Sequence, residues 1–156
     1  MSELKIGDPA PDFDLPTDTG QVSLGLLKGE TVVLYFYPKD DTTGCTAESI
    51  AFSRAKADFT AVNAVVVGVS KDSVKSHGKF RLKHALDVEL GSDEAGEVVE
   101  RYGVWVEKSM YGRKYMGIER STFLIDKAGK LARIWRKVSV TGHVEEVLAA
   151  AKALKG

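Results

Sequence analysis

The sequence predicts an α/β fold with a central mixed β-sheet flanked by helices, and three observations support this prediction. The segments 31–37 and 64–70 are apolar and β-branched without polar alternation, which is typical of strands buried on both faces. Amphipathic segments follow both of them, so strands and helices alternate as they do around parallel strands. Residues 121–126 and 130–135 flank a Lys-Ala-Gly turn, which indicates an antiparallel hairpin that closes the sheet.

The N-terminal segment is expected to run extended and then to form a small β-hairpin. Gly7–Pro16 contains three of the four prolines, and its period of two turns Phe13 and Leu15 inward. The turn Thr17–Gly20 leads into a short returning strand at Gln21–Leu24.

Helices are predicted where apolar residues recur every three to four positions. Their expected ranges are about 46–59, 73–85, 92–103 and 143–154. Asp72 or Ser73 can cap the second helix, and Gly103 ends the third. The element order ββ–βα–βα–α–ββ–α is thioredoxin-like, and we expect residues 1–156 to form a single domain.

Charge and hydropathy exclude several classes of protein. The chain has 22 basic and 22 acidic residues, so its formal charge is 22 − 22 = 0, unlike that of a general nucleic-acid binder. Its apolar runs, such as 32–37, are far too short to span a bilayer. The N-terminus lacks the apolar segment of an export signal. We therefore expect a cytoplasmic protein that binds neither nucleic acid nor membrane.

The chain has a single cysteine, Cys45. One thiol allows no intramolecular disulfide and no cysteine-based zinc site, and we expect neither a metal nor a cofactor. A lone thiol in a reducing compartment is either an inert core residue or a reactive group.

The position of Cys45 favours a thiolate. It lies in the first turn of a predicted helix, where free N–H groups and the helix dipole stabilise negative charge. Thr42 and Thr43 can cap this helix or donate a hydrogen bond to the sulfur or to a bound oxygen, and Gly44 lets a substrate approach the backbone. On the local sequence alone, a small buried Cys45 behind an ordinary Thr42 cap explains the same residues.

The segment Tyr35–Glu48 resembles the active-site segment of peroxiredoxins. Their pattern is Pro-x-x-x-Thr/Ser-x-x-Cys, and Pro38, Thr42 and Cys45 fill that spacing. Further segments are similar to the bacterioferritin-comigratory-protein, or peroxiredoxin Q, branch: 7–13, 69–77, 102–105 and 117–126. The similarity runs in order from about residue 5 to residue 135.

The resemblance implies a thiol-dependent peroxidase that reduces hydrogen peroxide and organic hydroperoxides. Cys45 would be the peroxidatic nucleophile and would become a sulfenic acid. Arg120 would stabilise the thiolate and the charge that develops on the leaving oxygen. Thr42 and the Cys45 N–H would hold the peroxide, and Pro38 would shape the pocket and shield the sulfenic acid.

Two departures from the family pattern bear on this function. Thr43 stands where the family usually has proline, and Ile50 stands where many relatives have a resolving cysteine. The oxidised Cys45 would therefore be resolved by an external thiol, namely thioredoxin, glutaredoxin or glutathione. A disulfide between two Cys45 residues is the less favoured route, and we expect a monomer, with a dimer as the alternative.

Two other functions share part of these features. A peroxide sensor or redox relay would oxidise fast but turn over poorly with every general reductant. A non-catalytic thioredoxin-like binding module would hold a structural thiol that oxidises slowly. A Cys–His hydrolase is disfavoured, because His77, His84 and His143 are expected to be solvated or capping residues. The segment Tyr111–Tyr115 is expected to be an exposed loop that could border the site.

Overall fold

The computed structural model describes residues 3–154 and has a five-stranded mixed sheet at its centre. The strands are β1 (Asp14–Thr17), β2 (Gly20–Ser23), β3 (Thr31–Phe36), β4 (Ala64–Ser70), β5 (Glu89–Ser92), β6 (Trp105–Met110), β7 (Arg113–Ile118), β8 (Ser121–Ile125) and β9 (Leu131–Trp135). The helices are α1 (Thr43–Arg54), α2 (Lys56–Ala61), α3 (Val74–His84), α4 (Glu97–Arg101) and α5 (His143–Leu154). The expected domain 1–156 includes residues 1, 2, 155 and 156, which lie outside the described residues.

The central sheet has the strand order β5-β4-β3-β8-β9. Strand β4 runs parallel to both β3 and β5, whereas β8 runs antiparallel to both β3 and β9. Strands β1 and β2 form the predicted N-terminal hairpin, and β6 and β7 form a second one. Within residues 3–154, no helix combines the length and the apolar character needed to cross a membrane.

Strand β3 is buried along its whole length, as its unbroken apolar sequence predicts. Val32, Leu34 and Phe36 point to one face and pack with α4 and the N-terminal segment. The alternate residues Val33 and Tyr35 point to the other face and pack with α1, α2 and α5. Helices therefore cover both faces of the mixed sheet, and the predicted fold class is confirmed.

The helix predicted at 92–103 begins later in the structure, so the predicted start at Ser92 is wrong. Ser92 ends β5, which pairs with β4, and its hydroxyl donates to the carbonyl of Asp72 at 2.6 Å. The helix α4 begins only at Glu97, behind Gly96 in a left-handed conformation at φ +80°. Strand pairing therefore holds Ser92 in the sheet, and the Asp93 N–H still donates to the carbonyl of Ser70 in β4 at 2.9 Å, so the helix cannot begin here.

The segment Tyr111–Tyr115 is expected from the sequence to be a loop, but it forms the turn of the β6–β7 hairpin and the start of β7. Tyr111 and Gly112 have φ values of 53° and 77°, which suit the tight turn of a two-residue hairpin. The expected exposure is confirmed, since Tyr111 is 97% exposed. The adjacent charges Glu107-Lys108 and Arg113-Lys114 on these exposed strands interrupt the alternation that predicts a strand.

Gly68 in β4 makes room for a buried tyrosine ring on β3. It lies directly opposite Tyr35 in the parallel register, and a Cβ atom at Gly68 would lie 2.5 Å from Tyr35 Cζ. The ring is stacked on Phe52 of α1 at 4.6 Å, and its hydroxyl lies 2.9 Å from Ser49 Oγ. This contact fixes α1, and with it the N-terminal turn that carries Cys45, against the sheet.

Gly68→Ala is expected to lower the free energy of unfolding by about 1–3 kcal/mol, because neither the Tyr35 ring nor the strand backbone has space to move. Urea denaturation of both proteins measures the change. The matched control is Gly78→Ala in α3, where the nearest atom would be Asp18 Cβ at 3.7 Å. That control should be neutral or stabilise by about 0.5–1 kcal/mol. Equal unfolding midpoints for the two variants would contradict the prediction.

Candidate active site

The site forms at the carboxyl end of β3, where two distant parts of the chain meet. Phe36 pairs with Ser121, so the antiparallel register brings Arg120 beside the residues that follow β3. The chain then enters α1, which carries Cys45 in its first turn. As a result Arg120 Nη2 donates to Cys45 Sγ at 3.3 Å, although the two residues are 75 positions apart.

Cys45 is fully buried near the start of α1. Thr42 occupies the N-cap position with extended backbone angles, and its carbonyl accepts the N–H of Thr46 at 2.8 Å. Cys45 therefore belongs to the first helical turn, at the positive end of the helix dipole, where negative charge is favoured. The predicted place of Cys45 in a first helical turn is confirmed.

Glu48 is a site residue that the sequence prediction missed. It lies one helical turn after Cys45 on the same face of α1, and Arg120 Nη1 donates to its Oε1 at 2.7 Å. Its side chain is fully buried, and its Oε2 has no hydrogen-bond partner among the described residues. Arg120 thus forks between a carboxylate and a sulfur, and the i, i+3 spacing from Cys45 is the only sequence signal for this arrangement.

Burial sets the protonation behaviour of this pair. It raises the pKa of Glu48 to about 7, although the Arg120 guanidinium acts in the opposite direction. Burial also acts against the charge of Arg120, but Glu48 and Cys45 outweigh it and leave the pKa of Arg120 above its ordinary value. Arg120 therefore stays a cation, while Glu48 exchanges a proton near neutral pH and changes the net charge beside the sulfur.

Gly44 allows the guanidinium to lie against the first turn of α1. A Cβ atom at Gly44 would lie 3.1 Å from Arg120 Nη2. The sequence predicts that the missing side chain at Gly44 serves the approach of a substrate. In the structure it is Arg120 that approaches this position closely.

Thr42 and Pro38 both lie in the loop between β3 and α1. The Thr42 hydroxyl neither caps α1 nor contacts the sulfur; it donates to the carbonyl of Lys39 at 2.9 Å. Of the roles that the sequence allows for the Thr42 hydroxyl, capping of α1 is not observed, because the hydroxyl donates to Lys39 O instead. Thr42 is exposed, and its oxygen retains lone pairs that can accept a hydrogen bond.

Pro38 lines a cavity of about 360 Å³ between this loop and the β6–β7 hairpin. The other lining residues are Lys71, Trp105, Lys108, Tyr115, Met116, Gly117 and Ile118. Burial lowers the pKa of Lys108, and the nearby charge of Arg120 lowers it further. The charge of Arg120 therefore acts on a residue that lines this cavity. The apolar part of the lining can hold the organic part of a larger ligand.

The expectation that the histidines are solvated or capping residues is wrong for two of them. His77 and His143 are buried, and His143 Nε2 lies 2.8 Å from Thr122 Oγ1. His77 lies beside Asp40 and Asp72, and ligand-type atoms of the three residues lie within 4.8 Å of one another. Within residues 3–154, the side chain hydrogen-bonded to Cys45 Sγ is that of Arg120, and no histidine contacts the sulfur.

The Asp40–Asp72–His77 cluster is better suited to hydrogen bonds than to a metal ion. Asp72 Oδ2 accepts the Ser70 hydroxyl at 2.6 Å and the Asp40 N–H at 2.8 Å. Asp40 Oδ2 accepts the Ser76 hydroxyl at 2.8 Å. Donors already occupy the positions from which a cation would approach these oxygens.

Glu48→Gln is expected to remove a pH-dependent loss of stability. Because the folded pKa of Glu48, about 7, lies above its ordinary value of 4.5, the native state binds this proton more tightly than the unfolded state. That stabilisation is fully present below pH 4.5 and is lost as the pH rises through 7. The free energy of unfolding of Glu48→Gln relative to the unsubstituted protein should therefore rise between about pH 5 and about pH 8 in urea titrations.

The matched control is Glu97→Gln, which removes an exposed carboxyl paired with Arg101. It should follow the unsubstituted protein at each pH. If the Glu48→Gln curve is also parallel to that of the unsubstituted protein, the proton assigned to Glu48 is wrong.

Comparisons with known proteins agree with this geometry. Residues 6–134 match the AhpC/TSA family model. A putative peroxiredoxin Bcp of Coxiella burnetii is 51% identical over 146 residues, which cover 93% of this chain and 97% of that protein.

Two solved structures are similar over most of their length. A variant of the Xylella fastidiosa PrxQ has a TM-score of 0.92 at 39% identity over 98% of both chains. The Xanthomonas campestris bacterioferritin comigratory protein, whose structure concerns alkyl peroxide reduction, has a TM-score of 0.87 at 42% identity over 92% of both chains. The chain therefore belongs to the AhpC/TSA family, as a thioredoxin-fold peroxiredoxin of the Bcp or peroxiredoxin Q branch, and is a thiol-dependent peroxidase.

Proposed function

We propose that Cys45 is the peroxidatic nucleophile, that Arg120, Thr42 and Pro38 complete its site, and that an external thiol closes the catalytic cycle. The hydrogen bond from Arg120 Nη2 to Cys45 Sγ is the observation that carries this proposal. A guanidinium on the sulfur stabilises the thiolate, which is the reactive form of cysteine.

In the first half-reaction the Cys45 thiolate attacks the terminal oxygen of the peroxide. An S–O bond forms as the O–O bond breaks, the sulfur loses two electrons to the peroxide, and the leaving oxygen takes a proton to become water or an alcohol. Arg120 stabilises the negative charge as it moves from sulfur to the leaving oxygen. Because Cys45 and Glu48 are buried, this electrostatic effect is stronger than it would be in open solvent.

Thr42 and Pro38 act on the peroxide from the loop. Because the Thr42 hydroxyl hydrogen is engaged with Lys39 O, its oxygen is oriented to accept a hydrogen bond from the peroxide O–H. Pro38 lies between Thr42 and β3 along the chain and lines the cavity under the β6–β7 hairpin. The organic part of a hydroperoxide would lie in that cavity.

The second half-reaction requires a thiol from outside the chain. The sequence contains one cysteine, and Ile50 occupies the position of the usual resolving cysteine. The external thiol attacks the sulfenic sulfur, releases water and leaves a mixed disulfide, which a second thiol reduces. Thioredoxin, glutaredoxin and glutathione are the proposed reductants.

Three further proposals accompany this cycle. A single domain acting as a monomer is supported by the fact that Cys45, Glu48 and Arg120 meet within one chain. A cytoplasmic location is supported by the dependence on a thiol supply, which a reducing compartment provides. A neutral formal charge supports the expectation that neither nucleic acid nor a membrane surface is a partner.

Arg120→Met is expected to slow the oxidation of Cys45 by stoichiometric hydrogen peroxide about 10²- to 10³-fold, as the loss of one preorganised charge donor does in other enzymes. Intact mass with a sulfenic-acid trap measures the rate, and Cys45→Ser should show no trapped product. Arg133→Met, which removes a guanidinium lying over Trp135, is the matched control and should leave the rate unchanged. If Arg120→Met reacts as fast as this control, Arg120 has no part in the reaction.

Turnover is expected to stop after one equivalent of peroxide when no thiol is supplied. With glutathione present, intact mass should show a mixed disulfide on Cys45. Ile50→Cys should instead form an intramolecular disulfide without the adduct, and Ile50→Ser is its control. Full turnover with a thiol-free reductant would contradict the external-thiol cycle, and no turnover with any general thiol would favour a peroxide sensor.

A further inference from the structure

The loop between β3 and α1 is tied to α3 by two adjacent aspartates. Asp40 is buried and points toward the first turns of α3, whereas Asp41 is exposed and contacts its last turn. Neither residue takes part in the proposed reaction. Both precede Thr42, so they fix the segment from which the peroxidatic turn begins.

Asp40 accepts three side-chain hydrogen bonds. The Tyr37 hydroxyl donates to Oδ1 at 2.6 Å, and the Ser76 hydroxyl donates to Oδ2 at 2.8 Å. His77 Nδ1 lies 2.7 Å from the same Oδ2. Burial raises the pKa of Tyr37, so its hydroxyl remains a donor, and the backbone N–H of Asp40 donates to Asp72 Oδ2 at 2.8 Å.

Oxygen atoms face both ring nitrogens of His77. Its Nε2 lies 3.1 Å from the carbonyl oxygen of Gly91 in β5, which can only accept a hydrogen bond, so Nε2 carries a proton. Its Nδ1 lies 2.7 Å from Asp40 Oδ2. His77 is fully buried, and it therefore links the loop to both α3 and the edge of the central sheet through fully satisfied bonds.

Asp41 makes a second, exposed connection. Its backbone is left-handed at φ 61°, a conformation that aspartate adopts more readily than most residues. Lys83 Nζ donates to Oδ2 at 2.7 Å, and His84 Nε2 lies 2.9 Å from Oδ1. Since exposed ion pairs contribute little, the buried Asp40 connection is the stronger of the two.

We propose that Asp40 and His77 form a positioning pair that sets the balance between the two halves of the catalytic cycle. The proposal rests on the proposed function of Cys45. With the pair intact, the loop holds Lys39 O, Thr42 and the first turn of α1 in the geometry that reacts with peroxide. Cys45 is fully buried there, so an external thiol can reach its sulfenic sulfur only when the loop or this turn moves. The pair therefore accelerates oxidation and slows resolution.

His77→Gln is expected to lower the rate constant for oxidation by hydrogen peroxide about 10- to 100-fold, as a small misplacement of reacting groups does. The rate constant for reaction of the sulfenic acid with glutathione should rise several-fold in the same variant. Single-turnover kinetics measures the two steps separately. Opposite changes in the two rate constants are expected from positioning, and the stability control Leu131→Ala distinguishes them from a general loss of structure, which would also expose Cys45.

A double-mutant cycle tests whether the two residues act as one unit. Asp40→Asn retains an acceptor for Tyr37 and should reproduce the effect of His77→Gln, and the double variant should be no slower in oxidation than either single variant. Additive effects would overturn the pairing. Should His77→Gln fail to fold, Ser76→Ala removes one bond to the same carboxylate and should show a smaller change of the same sign in each step.

Leu131→Ala controls for stability, because Leu131 is buried in the core on the other face of the sheet. It should lower the Tm and leave both rate constants unchanged. If His77→Gln and Leu131→Ala change the rates alike at similar Tm, the positioning proposal is overturned. A failure of the proposed function is distinguishable, since the unsubstituted protein itself would then oxidise no faster than free glutathione.

Discussion

The structure of the site depends on the forked guanidinium of Arg120. One nitrogen donates to the Cys45 sulfur and another to the Glu48 carboxylate, so the side chain of the residue just before β8 contacts two residues one turn apart in α1. The contact depends on the antiparallel register of β3 with β8, and it is close to Gly44, where a Cβ atom would lie 3.1 Å from Arg120 Nη2. Taking a guanidinium and a carboxyl out of water is costly, and such a buried pair is weak evidence for stability. Its place beside a thiol indicates that it is retained for chemistry.

The charge balance of the site follows from this arrangement. The helix dipole and Arg120 both favour a thiolate, while burial favours the neutral form of Glu48. When Glu48 is protonated, the guanidinium is not neutralised by a carboxylate and acts more strongly on sulfur and on bound peroxide. When Glu48 is ionised, its carboxylate partly neutralises the guanidinium, which then acts less strongly on the sulfur. Because the pKa of Glu48 is about 7, the net charge next to Cys45 changes with pH near neutrality.

The single thiol and the contacts of the loop between β3 and α1 set the remaining constraints on the proposed catalytic cycle. With Ile50 in place of a resolving cysteine, α1 does not have to unwind for an internal disulfide, and the helix begins at Thr43 without the usual proline. The loop before it is instead held from α3 through Asp40 and His77. In the proposed cycle this arrangement favours an accurately placed sulfur, and the loop would have to move before an external thiol could reach that sulfur. In this proposal, fast oxidation of Cys45 by peroxide comes at the cost of slower access for the thiol that reduces it.

The sequence by itself determined the local features of this protein. Unbroken β-branched segments predicted β3 and β4, and the motif spacing placed Pro38, Thr42 and Cys45 around the start of α1. Local patterns did not predict β5 or the β6–β7 hairpin, because these strands are short or exposed and depend on their pairing partners. Tertiary structure alone decided that Glu48 shares Arg120 with Cys45 and that His77 is buried against Asp40. These contacts join residues far apart in the chain, and strand register and helix packing, which the local sequence does not encode, bring them within hydrogen-bond distance.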